Sequence, residues 1–297
     1  MKFFITGASG YIGGTLSSLL AARGHEVRGL VRDAGKIAAV ECTGVVPVLG
    51  NLSETALLAE EGRAADVVIN AADSDHRPAL EAMLSALEGT GKPLIHTSGS
   101  SVVSDTADGE ASDSVYTEDD PVASTEQKQV RLEIDNMVRA ASTRQIRTIV
   151  ICNTMIYGHG LGAHRDSIQV PSLINQAKRS GIPRHVGRGL NRWSTIHVKD
   201  MAELYIAAIE RAPAGLFVFA ESGEVQFRDI TSAIARRYGL PETRDWTIED
   251  AIAEWGYEYA VFALGSNSRV RSRYARQVLG WAPKEAGVLD WIEREAD

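Results

Sequence analysis

Near the amino terminus, Gly7-Ala8-Ser9-Gly10-Tyr11-Ile12-Gly13 sets three glycines three residues apart, directly after the apolar run Phe3-Phe4-Ile5-Thr6. That spacing suits one task, the cradling of a pyrophosphate. Gly7 permits a tight turn, Gly10 lets phosphate approach the backbone, and Gly13 allows the next helix to pack closely on the strand. The helix amino terminus then offers unpaired N–H groups to the anion, and Ser9, Tyr11 and Ile12 complete the expected contact. A second signal is Arg32, which closes the apolar run Val27 to Val31. An acidic residue there would bind the ribose 2'-hydroxyl of NAD, whereas an arginine pairs with the 2'-phosphate of NADP. NADP(H) is therefore the expected cofactor. Asp33 follows immediately and takes the NAD role if the strand ends one residue later.

Other groups have the chemistry for a reacting substrate. Ser98 and Ser100 lie in Thr97-Ser98-Gly99-Ser100-Ser101 after another apolar run. Their hydroxyls suit a carbonyl oxygen, and they are equally ordinary turn formers. Tyr157 has a phenol able to give a proton. Further on, Arg184 to Trp193 concentrates cations, glycines and one indole, a mixture fitted to a carboxylate, a phosphate or a planar ring. Asn153, Arg188, Arg192 and Trp193 are the expected substrate contacts, although the arginines also suit pairing with an acidic surface and Trp193 suits the core. The histidines at 159, 164 and 185 match no standard metal-ligand spacing, so no metal is expected.

The elements that must position these groups follow from hydrophobic pattern. Up to about residue 151, short apolar runs (Phe3–Thr6, Val27–Val31, Val45–Leu49, Val67–Asn70, Leu94–Thr97, Thr148–Ile151) alternate with amphipathic stretches such as Tyr11 to Arg23 and Pro78 to Glu88. Continuous apolar runs read as buried parallel strands, and the stretches between them as crossover helices. Right-handed crossovers give an α/β fold with a doubly wound parallel sheet, its ligand at the carboxyl ends of the strands. Ser98 to Pro121 reads as a long functional loop, and Ser124 to Ala141 resumes helical spacing. Helices are expected at about Val170 to Ser180 and Val198 to Arg211, and a mostly helical segment from about Glu221. Residues 1–155, completed by 190–220, form the expected cofactor domain; 156–189 and 221–297 form a smaller substrate lobe.

Hydrophobic residues at 44% and charged residues at 24% describe a packed globule rather than a disordered chain. The net charge of -8 and the lack of a Lys/Arg cluster argue against a nucleic-acid partner. Cys42 and Cys152 fit neither a disulfide framework nor a metal site, which points to a reducing cytoplasm. The opening apolar run is too brief for a signal peptide or a membrane span. The expected partners are a small-molecule substrate and, as the one macromolecule left open, a second copy of the chain.

The chain resembles the extended short-chain dehydrogenase/reductase family, also described as the NAD-dependent epimerase/dehydratase family. Beyond the glycine turn, Gly50-Asn51-Leu52 is similar to the family's adenine-contacting Gly-Asp-Leu. Asn70-Ala71-Ala72 resembles the turn that lines the nicotinamide side, and Tyr157-Gly158-His159-Gly160 resembles Tyr-Gly-Pro-Gly, which makes Tyr157 a pocket-lining candidate too. The resemblance thus implies cofactor contacts from Asn51, Leu52, Ala71 and Ala72. It also implies a Ser, a Tyr and a Lys four residues after the Tyr as the reacting groups, and here the chain departs. Aligning Glu133 with the family's glutamate puts Thr125 at the Tyr, Gln129 at the Lys and Gly99 at the Ser. Threonine is too weak an acid, and glutamine carries no charge. Lys128 and Arg131, on the same helix, are candidate replacements or simply a solvated face. The expected activity is NADP(H)-dependent oxidation or reduction of a small carbonyl or alcohol. Nucleotide-sugar epimerisation or dehydration, and cofactor sensing without catalysis, are the alternatives.

Overall fold

Six apolar runs become the strands β1 (Lys2–Thr6), β2 (Glu26–Val31), β3 (Val46–Leu49), β4 (Val67–Asn70), β5 (Pro93–Gly99) and β6 (Arg147–Asn153) in the computed structural model, which describes residues 1–122 and 124–296. Six further strands follow: β7 (Met155–Tyr157), β8 (Arg184–Val186), β9 (Arg192–His197), β10 (Leu216–Ala220), β11 (Gly223–Gln226) and β12 (Arg244–Trp246). The main sheet has the order β10-β6-β5-β4-β1-β2-β3 and every pairing in it is parallel. This is a doubly wound Rossmann sheet, and its order reverses between β1 and β4. At that point two neighbouring chains leave the sheet in opposite directions and open a crevice above their carboxyl ends.

The crossovers are α1 (Tyr11–Ala22), a short α2 (Ile37–Glu41), α3 (Thr55–Ala64), α4 (Arg77–Leu87) and α5 (Glu126–Ala140), followed by α6 (Gln169–Ser180), α7 (Val198–Arg211) and α8 (Phe227–Tyr238). Leu16 and Leu20 of α1 meet Met201, Leu204 and Tyr205 of α7 on one face of the sheet. On the other face Leu58, Leu80, Met83, Ile134 and Val138 bring in α3, α4 and α5. All of these are essentially inaccessible to water, and each aliphatic burial of this kind contributes about 2 kcal/mol. A third core, around Leu173, Trp193, Phe227, Ile230 and Trp291, holds the carboxy-terminal lobe. Among the described residues no helix is long and apolar enough to cross a membrane.

The stretch from Ser98 is not loop throughout: β5 runs on to Gly99, and Ser100–Val103 forms a 3-10 turn. The segment after Glu221 is mostly helical, as expected, with two short strands added: β11 pairs antiparallel with β9 and β12 pairs parallel with β8. Strands of three or four residues carry too few side chains to show a period of two.

Glu224 of β11 ties the lobe together. Its carboxylate accepts from Arg269 Nε (2.9 Å), Arg271 Nη2 (3.2 Å) and Arg192 Nη1 (3.3 Å). Burial alone pushes this carboxyl up, but the hydrogen bond from Arg269 and the charges of Arg271 and Arg269 outweigh it, leaving the pKa below its ordinary 4.5. A depressed folded value means stability that is present above pH 4.5 and lost as pH falls through the folded value. Glu224→Gln should therefore destabilise the protein by about 2 kcal/mol at neutral pH. In paired thermal melts the gap from wild type should close as the pH drops below 4.5, and a gap unchanged by pH would contradict the role given to this carboxylate.

Candidate active site

The glycine turn leaves β1 with Gly7 at φ +72°. A Cβ on Gly7 would stand 2.7 Å from the carbonyl oxygen of Ala71, and one on Gly13 would stand 2.4 Å from that of Gly7. Both glycines are thus required by backbone packed on backbone. Gly10 differs, since its φ of −91° suits any residue and its Cβ would meet only Gly7 O at 3.2 Å. The space its missing side chain leaves is therefore open to a ligand. Gly10 also precedes the first turn of α1, where no side chain caps the helix and no acidic residue sits. The positive end of the helix dipole faces a cleft of about 540 Å³.

This cleft runs from Arg32 and Lys36, past Gly10, to Ala72, Asp73 and His76. Of the expected cofactor residues, Gly7, Ser9, Gly10, Arg32, Asn51, Leu52, Ala71 and Ala72 line it. Tyr11, Ile12 and Gly13 do not: the Tyr11 hydroxyl donates to the Gly158 carbonyl (2.8 Å), and Ile12 packs on the core beneath α1. Lys36 was not foreseen. The turn Ala34–Lys36 swings it round beside Arg32, and Asp33 Oδ1 caps that turn by accepting from Gly35 N at 2.9 Å. Neither Arg32 nor Lys36 has an ion-pair partner among the described residues.

A buried polar chain fixes the inner end. The Thr6 hydroxyl donates to Asn70 Oδ1 (2.6 Å) and accepts from the N–H groups of Ala71 (3.1 Å) and Ala72 (3.2 Å), which sets the path of the chain beyond β4. Asn70 Nδ2 lies 3.2 Å from His96 Nδ1, and His96 Nε2 lies 3.4 Å from Asp135 Oδ1. Ser98 Oγ donates to the other oxygen of Asp135 at 2.7 Å. Hydrogen bonds therefore link β1 to β4, β4 to β5 and β5 to α5, while His96 Nε2 and Asp135 Oδ1 face each other without one. The thiol of Cys152, close by, is pushed well up by burial.

Because Asp135 packs inward, the register of α5 is not the one the sequence alignment implies. Lys128, Arg131, Asp135 and Val138 share the inner face at spacings of three and four, while Gln129 and Glu133 are exposed. Thr125 precedes the helix and lines a separate cavity with Asn267 and Arg269. The side chain that reaches the carboxyl end of β5 is Arg131, whose Nη1 would lie 3.4 Å from a Cβ on Gly99. Arg131 Nε and Nη2 donate to the two oxygens of Asp75 (2.9 and 2.6 Å), and Nη1 donates to Ser101 Oγ (3.1 Å). Burial alone raises the Asp75 carboxyl, but Arg131 brings it below the usual carboxylate range.

The expected reacting groups are placed as follows. Ser98 is committed to Asp135, and Ser100 is buried with its hydroxyl 2.8 Å from that of Ser268. Tyr157 is buried in the lobe and donates to the Ala286 carbonyl (2.7 Å), so burial and packing make it a structural residue. Asn153 is buried and donates to the Tyr205 hydroxyl. Arg188 is an exposed residue near Glu110, and Arg192 is held by Glu224. Trp193 alone of the four substrate candidates borders the second cavity, of about 420 Å³, with Ser101, Lys128, Arg131, Tyr259 and Phe262. Ser101, two residues beyond Gly99, was missed because the 3-10 turn that aims it is not legible in a serine-rich run.

A model of the NAD dependent epimerase/dehydratase family matches residues 3–218. The chain belongs to that family. It is similar, at 30% identity and 98% coverage of both chains, to an uncharacterised protein of Saccharomyces cerevisiae. It is 28% identical, over 81% of this chain and 74% of the relative, to a 4-hydroxy-2-methyl-3-oxo-4-farnesyl-3,4-dihydroquinoline-1-oxide ketoreductase of Stigmatella aurantiaca. Among solved structures, dTDP-glucose 4,6-dehydratase from Bacillus anthracis in complex with NAD shares the fold, with a TM-score of 0.78 and 16% identity over 99% of this chain and 97% of that one.

The two glycines of the family's turn should separate in mutagenesis. Gly13→Ala forces a Cβ onto the Gly7 carbonyl and should cost about 3 kcal/mol of stability. Gly10→Val should cost about 1 kcal/mol or less yet abolish nucleotide binding, because its side chain fills the cleft. Thermal melts beside nucleotide titrations check this, and retained binding in a folded Gly10→Val protein would show that the turn has only a structural role.

Proposed function

We propose that this protein is an NADP(H)-dependent reductase of a small carbonyl compound. The observation that carries the cofactor half of this reading is the outer end of the cleft. Two unpaired cations, Arg32 and Lys36, stand there with Asp33 between them in sequence, one of whose carboxylate oxygens, Oδ1, accepts from Gly35 N. A ribose 2'-phosphate brings about two negative charges and three acceptor oxygens, which suit a pair of cations, and Arg32 adds the planar fork that matches phosphate geometry. The ribose hydroxyl of NAD would need an acceptor there; Asp33 Oδ1 already accepts from Gly35 N, and the two cations outnumber this one carboxylate. The residues present fit such a group along its whole length: Gly10 and the open end of α1 for the pyrophosphate, Asn51 and Leu52 at the adenine end, and Ala71 and Ala72 at the other.

The reaction half rests on kinship and on the inner end. The Stigmatella relative is a ketoreductase, and a second relative, 27% identical over 81% of this chain, is a 2-alkyl-3-oxoalkanoate reductase of Stenotrophomonas maltophilia. When bound, the reduced nicotinamide supplies the reducing equivalent. The chain's own contribution is to hold the substrate oxygen near fixed donors. Arg131 stays charged at every accessible pH and so orients rather than donates a proton. The inner face of α5 presents no tyrosine, and water is the proton source this reading assigns.

Isothermal titration checks the cofactor. NADP+ should bind more tightly than NAD+, and Arg32→Ala should weaken NADP+ about 30-fold, the worth of one charge-assisted contact, while changing NAD+ about 2-fold or less by the same reasoning. Lys36→Ala should act in the same direction. Equal affinities in the unmutated protein would sink the NADP assignment. Tight binding without NADPH consumption across a panel of aldehydes and ketones would leave a nucleotide-binding protein in place of a reductase.

A further inference from the structure

The cavity beyond Arg131 has a distinctive chemistry. Its aromatic residues have spent their polar atoms elsewhere: Trp193 Nε1 donates to the Ser266 carbonyl (3.0 Å), and the Tyr259 hydroxyl donates to Ser172 Oγ (3.1 Å). Burial pushes the Tyr259 phenol up to about 12, which keeps it neutral. Phe262 lies under the Lys128 ammonium, 5.1 Å from its ring centre. From these aromatic residues a ligand therefore meets hydrocarbon faces and edges, an arrangement that suits a flat body, while the Lys128–Glu258 pair (3.4 Å) and Gln169 form a polar border to the same cavity.

Ser101 is the fixed hydroxyl in this wall. Its oxygen already accepts from Arg131 Nη1, and no acceptor among the described residues takes its own O–H. An oxygen loaded by a guanidinium makes its O–H a stronger donor. Arg131 cannot swing away, because Nε and Nη2 are both bound to Asp75. Asp75 belongs to the same β4–α4 segment as Asp73 and His76, which line the nucleotide cleft, so the Asp75–Arg131 pair ties the wall of this cavity to that segment.

We infer that this cavity takes a planar conjugated aldehyde or ketone, whose carbonyl oxygen accepts from Ser101 while the Asp75–Arg131 pair positions that hydroxyl. The inference rests on the reductase reading for the presence of a carbonyl. It replaces the serine expected at position 99, which is glycine, with one two residues further on, supported by an arginine.

The test uses 4-(dimethylamino)cinnamaldehyde, a conjugated aldehyde whose absorption moves to longer wavelength when its carbonyl accepts a strong hydrogen bond. It is titrated into the protein alone and with saturating NADP+ or NAD+, the oxidised forms that cannot reduce it. Saturable binding with a red shift is expected. Ser101→Ala should bind within about 5-fold, the worth of one neutral hydrogen bond, but lose most of the shift. Ser101→Thr should keep it, and Asp75→Asn, which loosens Arg131, should reduce it. A full shift in Ser101→Ala would overturn the assignment of that hydroxyl, and the absence of saturable binding to wild type would overturn the ligand class. The readout needs no turnover, so a protein that prefers NAD+ and still shifts the dye would separate this inference from the cofactor assignment.

Discussion

The backbone contact at Gly7 is the constraint on which the site depends. β1, the turn after β4 and the first turn of α1 approach so closely there that a methyl group at Gly7 or Gly13 would overlap a carbonyl. The same economy recurs on the outer side of α1, where a Cβ on Gly162 would stand 2.6 Å from Gly14. Thr6 then binds two N–H groups of the β4 turn, and Tyr11 binds the turn at Gly158. Pressed from both sides, α1 has little freedom to shift, and its amino terminus points steadily into the cleft. A preorganised set of donors pays no reorganisation cost when an anion arrives.

From that anchor the rest of the site is built outward by hydrogen bonds rather than by apolar packing alone. Thr6, Asn70, His96, Asp135 and Ser98 connect the sheet to α5. Buried polar groups of this kind are costly when unpaired, so the chain tolerates few arrangements of α5 on the sheet. The chosen one turns Arg131 toward the end of β5. Asp75 then meets that guanidinium on two oxygens, and Ser101 meets its remaining edge. The carboxy-terminal lobe closes the second cavity through Phe262 and Tyr259, in a segment that includes a π-helical stretch at Ala260–Leu264. Such stretches cluster at functional sites because they displace side chains from regular helical positions.

Much of the fold was legible in the residues. Buried parallel strands are apolar on both faces, so Phe3 to Thr6 or Val67 to Asn70 declare themselves without help from the rest of the chain. The glycine turn was legible for the same local reason, since each glycine answers a need set within a dozen residues. The helix register was not. Glu133 looked like the family's acid, and Asp135, two residues on, is the one buried against Ser98 and His96. Only contacts with other strands choose between them. Lys36 and Ser101 were hidden because each is aimed by a 3-10 turn, which has no strong sequence signature. Arg192 drew attention as a cation beside an indole, yet its partner Glu224 is 32 positions away in sequence. Long-range pairing of that sort leaves no local mark.

Occupancy of the cleft by NADP(H), with its reacting end at Ser101 and Arg131, is decided by where a bound nucleotide lies. A crystal structure with NADP+ bound should show the pyrophosphate against Gly10 and the first N–H groups of α1, and the 2'-phosphate between Arg32 and Lys36. The nicotinamide should reach past Ala72 toward Gly99, with Ser101 and Arg131 beside its reacting face. A nucleotide seated elsewhere, or one whose nicotinamide end is separated from Ser101 and Arg131 by protein, would contradict that placement.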